Sequence, residues 1–286
     1  MPKITVIAAL SVCFLLGAVT QAKFGLIGNF LMATGARIHL AQIGWVRPLP
    51  PPEVIPLVPI AAAEVPCSSL PRTRTVGLIV GGQTNAANGS ATVPERARPG
   101  VYAVHEGRCY AISGPLPGGE GDGTSMWTLL ADKIIGQGLA DSVILAPAVV
   151  GGTVIEAFAR GGHHHEKVLA AATDLMRLTM PTAFLWQHGE TDGQRGTPEA
   201  YYRTYFDSMV AGLRSIGFKG PVLAAKSTRC RPTYSPAVRA VQEGGPDTDV
   251  LADLFRSDGC HLNAMGRNAA ADLWLQALVA HIAYER

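Results

Sequence analysis

Asp258 and His261 stand three apart in the segment Asp258-Gly259-Cys260-His261 near the carboxyl terminus. On one tight turn that spacing brings a carboxylate within reach of an imidazole and fixes its tautomer, leaving the far ring nitrogen as a base. A base held in this way activates a hydroxyl, and the chemistry such a set performs is acyl transfer. Thr84, in the turn Gly81-Gly82-Gln83-Thr84-Asn85, is the hydroxyl in the glycine-rich strand-to-helix position. Backbone N–H groups there and at Gly123 are the candidate oxyanion hole. Ser125 is a rival nucleophile, but its place just ahead of a helical stretch at 127–135 suits a helix cap better. His163, His164 and His165 invite a metal reading. Adjacent histidines splay apart and no acid or cysteine stands at ligand spacing, so they are read as surface or glycan-facing residues and no metal site is expected.

These residues must be carried on something regular. Apolar runs at 75–80, 142–146, 182–186 and 221–225 are short and apolar on both faces, as covered parallel strands are, and 249–252 is a weaker fifth. Helical periodicity fills the intervals. Thr197-Pro198-Glu199 supplies a capping hydroxyl, a first-turn proline and an acid at a helix start, and residues 264–284 form the last helix. Strands alternating with helices predict an α/β, three-layer, doubly wound sandwich on a mainly parallel five-stranded sheet. A hairpin around 100–112, with a central Glu-Gly, departs from that pattern. Ligands bind beyond the carboxyl ends of such strands. There the chain places Gly82 to Asn85, Gly151-Gly152-Thr153, Gln187 to Asp192 and Asp258 to His261.

Net charge is +2 and 16% of residues are charged, with no basic stripe, so nucleic acid is set aside as a partner. Hydrophobic residues make up 48% of the 286, enough for a sizeable core, although part of them sit at the amino terminus. There Lys3, an apolar run at 4–19 and Thr20-Gln21-Ala22 describe a secretory signal. The same run is only slightly short of the ~20 residues that span a bilayer, so residues 1–22 are a signal peptide or a membrane anchor. Residues 23–66 hold an amphipathic stretch and then a proline-rich linker, which places the folded domain at 67–286. Cys13 lies in the apolar run, and the remaining four cysteines form an even set without CxxC spacing. Cys230 and Cys260 both fall at the carboxyl edge of the sheet and are expected to pair, leaving Cys67 to tie the linker's end to Cys109 in the hairpin.

Taken together the blocks resemble the sialate O-acetylesterase and acetylxylan esterase branch of the SGNH hydrolases. GGQTN at 81–85 is similar to that branch's GQSN block and GDGTSMW at 121–127 to its glycine-containing second block. The GGT at 151–153 also fits, WQHGETD at 186–192 resembles WxQGExD, and DGCHLNAMG at 258–266 resembles the terminal DxxH block. Two positions depart from the pattern: Thr84 stands where the branch has serine, and His188 where it has glutamine. The resemblance implies a carbohydrate O-acetylesterase with a Thr84–His261–Asp258 triad and no cofactor, acting on an acetylated saccharide or polysaccharide. Gln83, Asn85, His188 and Glu190 would shape the site, with Asn85 or His188 adding an oxyanion donor or, for Asn85, only holding the turn. Gly152 and Thr153 would meet substrate. Two alternatives stay open: an O-acetyltransferase using the same site, and a non-catalytic glycan-binding or scaffolding relative marked by Thr84. The expected location is periplasmic or otherwise extracytoplasmic, with anchorage to the inner membrane as one form of it.

Overall fold

The computed structural model describes residues 62–89, 99–121, 123–251 and 253–282. The expected signal or anchor, the amphipathic stretch and most of the proline-rich segment lie outside the described residues. Among those described, eight strands form one sheet: β1 (Ala62–Val65), β2 (Thr75–Gly82), β3 (Val101–His105), β4 (Arg108–Ile112), β5 (Ser142–Val149), β6 (Pro181–Gln187), β7 (Val222–Lys226) and β8 (Gly244–Asp247). Their spatial order is β1-β4-β3-β5-β2-β6-β7-β8. The strands from β3 across to β8 pair in parallel, whereas β4 and β1 add antiparallel partners at one edge. The sheet is therefore eight-stranded and mixed, not five-stranded.

Three local causes account for the difference. The hairpin is part of the sheet, because β3 pairs with β5 and Glu106 and Gly107, both at positive φ, turn the chain back into β4. The Ala62–Val65 run carries no proline, so it can pair with β4, five residues ahead of the expected domain start. The last parallel strand is Gly244–Asp247, whose glycines and proline hide it from a propensity reading. The segment expected as that strand turns instead into a 3-10 turn, Thr248–Val250, in which Asp249 accepts bonds from the backbone N–H groups of Thr228 and Arg229.

The helices are α1 (Met126–Gly136), α2 (His165–Met176), α3 (Glu190–Arg195), α4 (Glu199–Ser215), α5 (Pro236–Arg239) and α6 (Ala264–Leu278). Period-two alternation sends strand side chains to opposite faces. Val76, Leu78 and Val80 of β2 and Leu185 of β6 pack with α1 and α6, where Trp127 meets Trp274 at 5.3 Å. Ile79, Phe184 and Trp186 pack on the other face with Val168 of α2 and Tyr202 and Met209 of α4. The result is the expected three-layer sandwich. At the start of α4 the Thr197 hydroxyl does not cap the helix but donates to Asp192 at 2.8 Å. Disulfides join Cys67 to Cys109 and Cys230 to Cys260. Among the described residues no helix is long and apolar enough to cross a membrane.

Candidate active site

The site is built on the carboxyl edge of the sheet, where β2 ends between β5 and β6. Gly82 closes β2 at φ 137°, and a Cβ there would lie 1.9 Å from the Gln187 carbonyl oxygen, so only glycine fits. The chain then makes a 3-10 turn over Thr84–Ala86. Asn85, buried beneath it, fixes the turn to two other loops. Its amide donates to Glu190 Oε1 at 2.6 Å and to the Cys260 carbonyl at 3.1 Å, and its oxygen accepts from Leu262 N at 2.8 Å. Both amide protons are therefore used, and of its two expected roles Asn85 takes that of holding the turn.

The loop it holds carries Asp258 and His261, the expected acid and base. His261 Nδ1 lies 2.8 Å from Asp258 Oδ2, while Asp258 Oδ1 accepts from the backbone N–H groups of His261 at 2.8 Å and Cys260 at 2.9 Å. The His261 backbone bond, aided by the ring and by Cys260 N–H, holds the Asp258 carboxyl well below the usual carboxylate range. A carboxylate in that state accepts Nδ1–H and leaves Nε2 as the basic nitrogen. Arg256 braces the loop from inside: buried, it donates to the carbonyls of Thr248, Leu251 and Cys260.

A pocket of about 270 Å³ opens at this edge, lined by Gln83, Thr84, Gly152, Glu190, Thr191, Gln194, Cys230, Arg231, Asp258, Cys260 and His261. The hydroxyl and the acid–imidazole pair thus share one cavity. Gly152 N–H donates to Thr84 Oγ1 at 3.2 Å. Gly123, expected to supply the second oxyanion N–H, is buried and does not line the pocket. The loop after β5 lies over the Thr84 turn because β5 is the parallel neighbour of β2, and this adjacency brings the Gly152 N–H, not that of Gly123, to the Thr84 oxygen. Gln83 is buried in the wall, its side-chain oxygen 3.4 Å from Thr191 N–H.

Behind the pocket the polar residues are deeply buried. Glu190 Oε1 accepts from Asn85 and from Ser227 Oγ at 2.8 Å, whereas Oε2 has no hydrogen-bond partner. Burial pushes its pKa up against those two bonds. His188 is fully buried, stacked on Trp186 with centroids 4.9 Å apart and 3.2 Å from the Tyr202 hydroxyl. Burial pushes its pKa down to about 3, so the ring is neutral. It packs under the site without lining the pocket, which corrects the expectation of an oxyanion donor there. Thr153 likewise turns away, its hydroxyl donating to the Val150 carbonyl at 2.8 Å.

Ser125 is the N-cap of α1, accepting from Trp127 N at 3.2 Å. Of the three histidines, His163 is exposed, but His165 is buried, with Nδ1 2.9 Å from the Phe158 carbonyl and its ring against Gly212. It is a core residue, not a surface one. Among the described residues no group of three His, Cys, Asp or Glu side chains is placed to hold a metal ion. Sequence reasoning missed Ser227 and Arg256, which support the loops from within as Asp192 does, and Arg231 in the pocket wall. Only Arg231 had a signal, its position beside a cysteine expected to pair at this edge.

An α/β sandwich with a hydroxyl, an oriented imidazole and a carboxylate on one pocket at its carboxyl edge has the equipment of an ester hydrolase. The chain belongs to the carbohydrate esterase, sialic acid-specific acetylesterase family, whose model matches residues 119–274, more than half of its length. It is accordingly a carboxylic ester hydrolase. Solved structures agree in fold. A protein from Arabidopsis thaliana, 18% identical, superposes with a TM-score of 0.57 over 73% of this chain and 99% of its own. NanS, 13% identical, gives 0.54 over 73% of this chain and 98% of its own. Among curated proteins, none matches this sequence.

Proposed function

We propose that the protein is an exported O-acetylesterase of acetylated carbohydrate, with Thr84 as nucleophile, His261 as base and then acid, and Asp258 as the residue that orients His261. The observation that carries this reading is the sharing of one pocket by Thr84, His261 and Asp258, with the Gly152 N–H aimed at the threonine oxygen. Thr84 lies ahead of the span that the family model matches, so its role rests on this geometry.

In the proposed reaction Thr84 Oγ1 attacks the acetyl carbonyl as His261 Nε2 takes its proton. The N–H groups of Thr84 and Gly152 receive the oxyanion. Collapse of the tetrahedral adduct expels the sugar oxygen, which takes the proton back from His261, and a water molecule then releases acetate from Thr84 by the same steps in reverse. In the resting structure Thr84 Oγ1 is engaged by Gly152 and not hydrogen-bonded to His261, so the hydroxyl must turn toward the ring when the ester enters.

Export is part of the proposal. It is supported by the sequence of residues 1–22 and by two disulfides, which persist in oxidising compartments. Two measurements test the reading. Purified full-length protein should release acetate from 4-nitrophenyl acetate and from acetylated polysaccharide, and residues 1–66 should carry a periplasm-dependent reporter to activity. Absence of acetate release overturns the reaction, and a reporter confined to the cytosol overturns the location.

A further inference from the structure

The loop 116–121 ends beside Thr84 and is fastened from two sides. Asn88, buried and on the same segment as Thr84, accepts from Leu116 N–H at 2.7 Å. Its amide donates to the carbonyls of Leu116, Gly119 and Gly121 at 3.1, 3.0 and 3.2 Å, and its backbone N–H donates to the Glu120 carbonyl at 2.9 Å. From the other side the Lys167 ammonium donates to the Gly118 carbonyl at 3.3 Å and to the Val149 carbonyl at 3.0 Å, which ties the loop to the end of β5.

The side chain of Glu120 is fixed as firmly as its backbone. Oε2 accepts from the Gly151 N–H at 2.9 Å, and the next N–H along the chain, that of Gly152, donates to Thr84 Oγ1 at 3.2 Å. A Cβ at Gly151 would lie 2.4 Å from Glu120 Oε2 and 3.4 Å from Thr84 Oγ1. Carboxylate and hydroxyl therefore flank the same glycine, and any larger residue there would drive the carboxylate away. The fold thus sets an exposed negative charge next to the pocket wall that Thr84 and Gly152 form.

The bond from Gly151 uses one of the lone pairs of this carboxylate, which can accept several donors at once. In a partly acetylated saccharide the donors next to the ester are free hydroxyls, and a hydroxyl-to-carboxylate bond is charge-assisted and short. A carboxylate whose position is set beforehand makes that bond with little ordering left to do. We infer that Glu120 is a specificity-determining residue, whose carboxylate accepts from a free hydroxyl beside the acetylated one while the ester sits at Thr84. The inference rests on the proposed esterase reaction and adds the feature of the sugar that is read, a hydroxyl neighbouring the ester.

The test compares the full-length protein with Glu120→Ala and Glu120→Gln on mono-O-acetylated methyl glucosides, each paired with analogues in which a neighbouring hydroxyl is replaced by hydrogen. The exposed side chain fills no core space, so both variants should fold. In the best-hydrolysed pair the wild type should favour the hydroxyl-bearing sugar by at least about tenfold in kcat/KM, chiefly through KM. Glu120→Ala should bring that ratio close to one, and Glu120→Gln, which keeps an acceptor oxygen without the charge, should retain part of it. Freeing the Gly151 N–H acts on both members of a pair and cancels in the ratio. A wild type that hydrolyses 4-nitrophenyl acetate but none of the glucosides, or that shows no preference in any pair, overturns the assignment, as does a Glu120→Ala variant that keeps the preference. If the wild type releases acetate from nothing, the esterase reading has failed, and saturation-transfer NMR with unacetylated methyl glucoside still decides on Glu120. A wild-type signal that is lost in Glu120→Ala supports it, and an equal or absent signal overturns it.

Discussion

Asn85 and Glu190, 105 residues apart in sequence, share a buried 2.6 Å hydrogen bond, and the same asparagine also grips the loop between Cys260 and Leu262. Three segments of the active edge therefore meet on one amide. Removing it leaves the Leu262 N–H without its acceptor and leaves the Glu190 Oε1 only Ser227. Each buried group deprived of a partner costs about 1–3 kcal/mol, so Asn85→Ala should lower stability by roughly 2–4 kcal/mol. Asn85→Asp should be worse, since it sets a second carboxylate against Glu190. Denaturant unfolding with kcat/KM on the same samples checks this. The loss of activity should exceed the unfolded fraction, because the loop bearing His261 has lost an anchor.

The acid–imidazole pair makes a sharper forecast. His261→Ala should reduce acetyl-ester hydrolysis to background while circular dichroism and melting temperature stay close to wild type, since the ring is partly exposed and fills no core space. Asp258→Asn keeps the shape but can no longer stabilise the imidazolium or impose the tautomer, and a fall of three to four orders of magnitude is expected, about that seen in serine triads. Full turnover in the His261 variant would place the base elsewhere.

Stability should depend on pH through His188. Its folded pKa, about 3, lies below the ordinary 6.5, so between those values the folded protein binds fewer protons at this site than the unfolded chain. Stability then rises with pH across the window and is lost as pH falls through it. Asp192 acts oppositely. Burial raises its pKa from 3.8 to about 6, so its contribution erodes as pH rises through that range, but its shift is the smaller of the two. From pH 7 to pH 5 the His188 effect amounts to about 2 kcal/mol. His188→Gln removes the titrating ring, and the melting temperature of that variant should fall less steeply with acid than that of the wild type. Parallel curves for the two proteins would exclude His188 as the source.

What the sequence disclosed and what it withheld follow from the range of the interactions. β2, β5, β6 and β7 were legible because buried parallel strands are apolar on both faces, and the Asp258–His261 pair because both members lie on one turn. β8 was hidden because its Gly-Gly-Pro-Asp sequence pairs by position and not by propensity. The expectations of an oxyanion N–H at Gly123 and of a substrate contact at Gly152 rest on glycine-rich turns alone. The strand order alone, with β5 beside β2, decides which loop reaches Thr84. The burial of His188 and His165 was equally invisible, because it depends on Trp186, Tyr202 and Gly212 arriving from other elements.

Thr84, the proposed nucleophile, stands where the branch that the sequence resembles has serine. A threonine hydroxyl can attack when a base activates it, so the substitution does not abolish the chemistry. It does restrict it: a β-branched side chain has few χ1 rotamers, and the hydroxyl here is held by Gly152 N–H and must swing toward His261. The γ-methyl also takes space that serine leaves to the incoming acetyl group, and a misplacement of about 1 Å can cost roughly a hundredfold in rate. Thr84→Ser should therefore raise acetyl-ester hydrolysis at least about tenfold, equivalent to roughly 1.4 kcal/mol of barrier. The serine variant should also be labelled by a fluorophosphonate where the wild type labels poorly, and Thr84→Ala should stay at background in both assays. The gain depends on His261 and Asp258 being competent already, as their 2.8 Å contact indicates. A serine variant no faster than the wild type would remove Thr84 from the role of nucleophile.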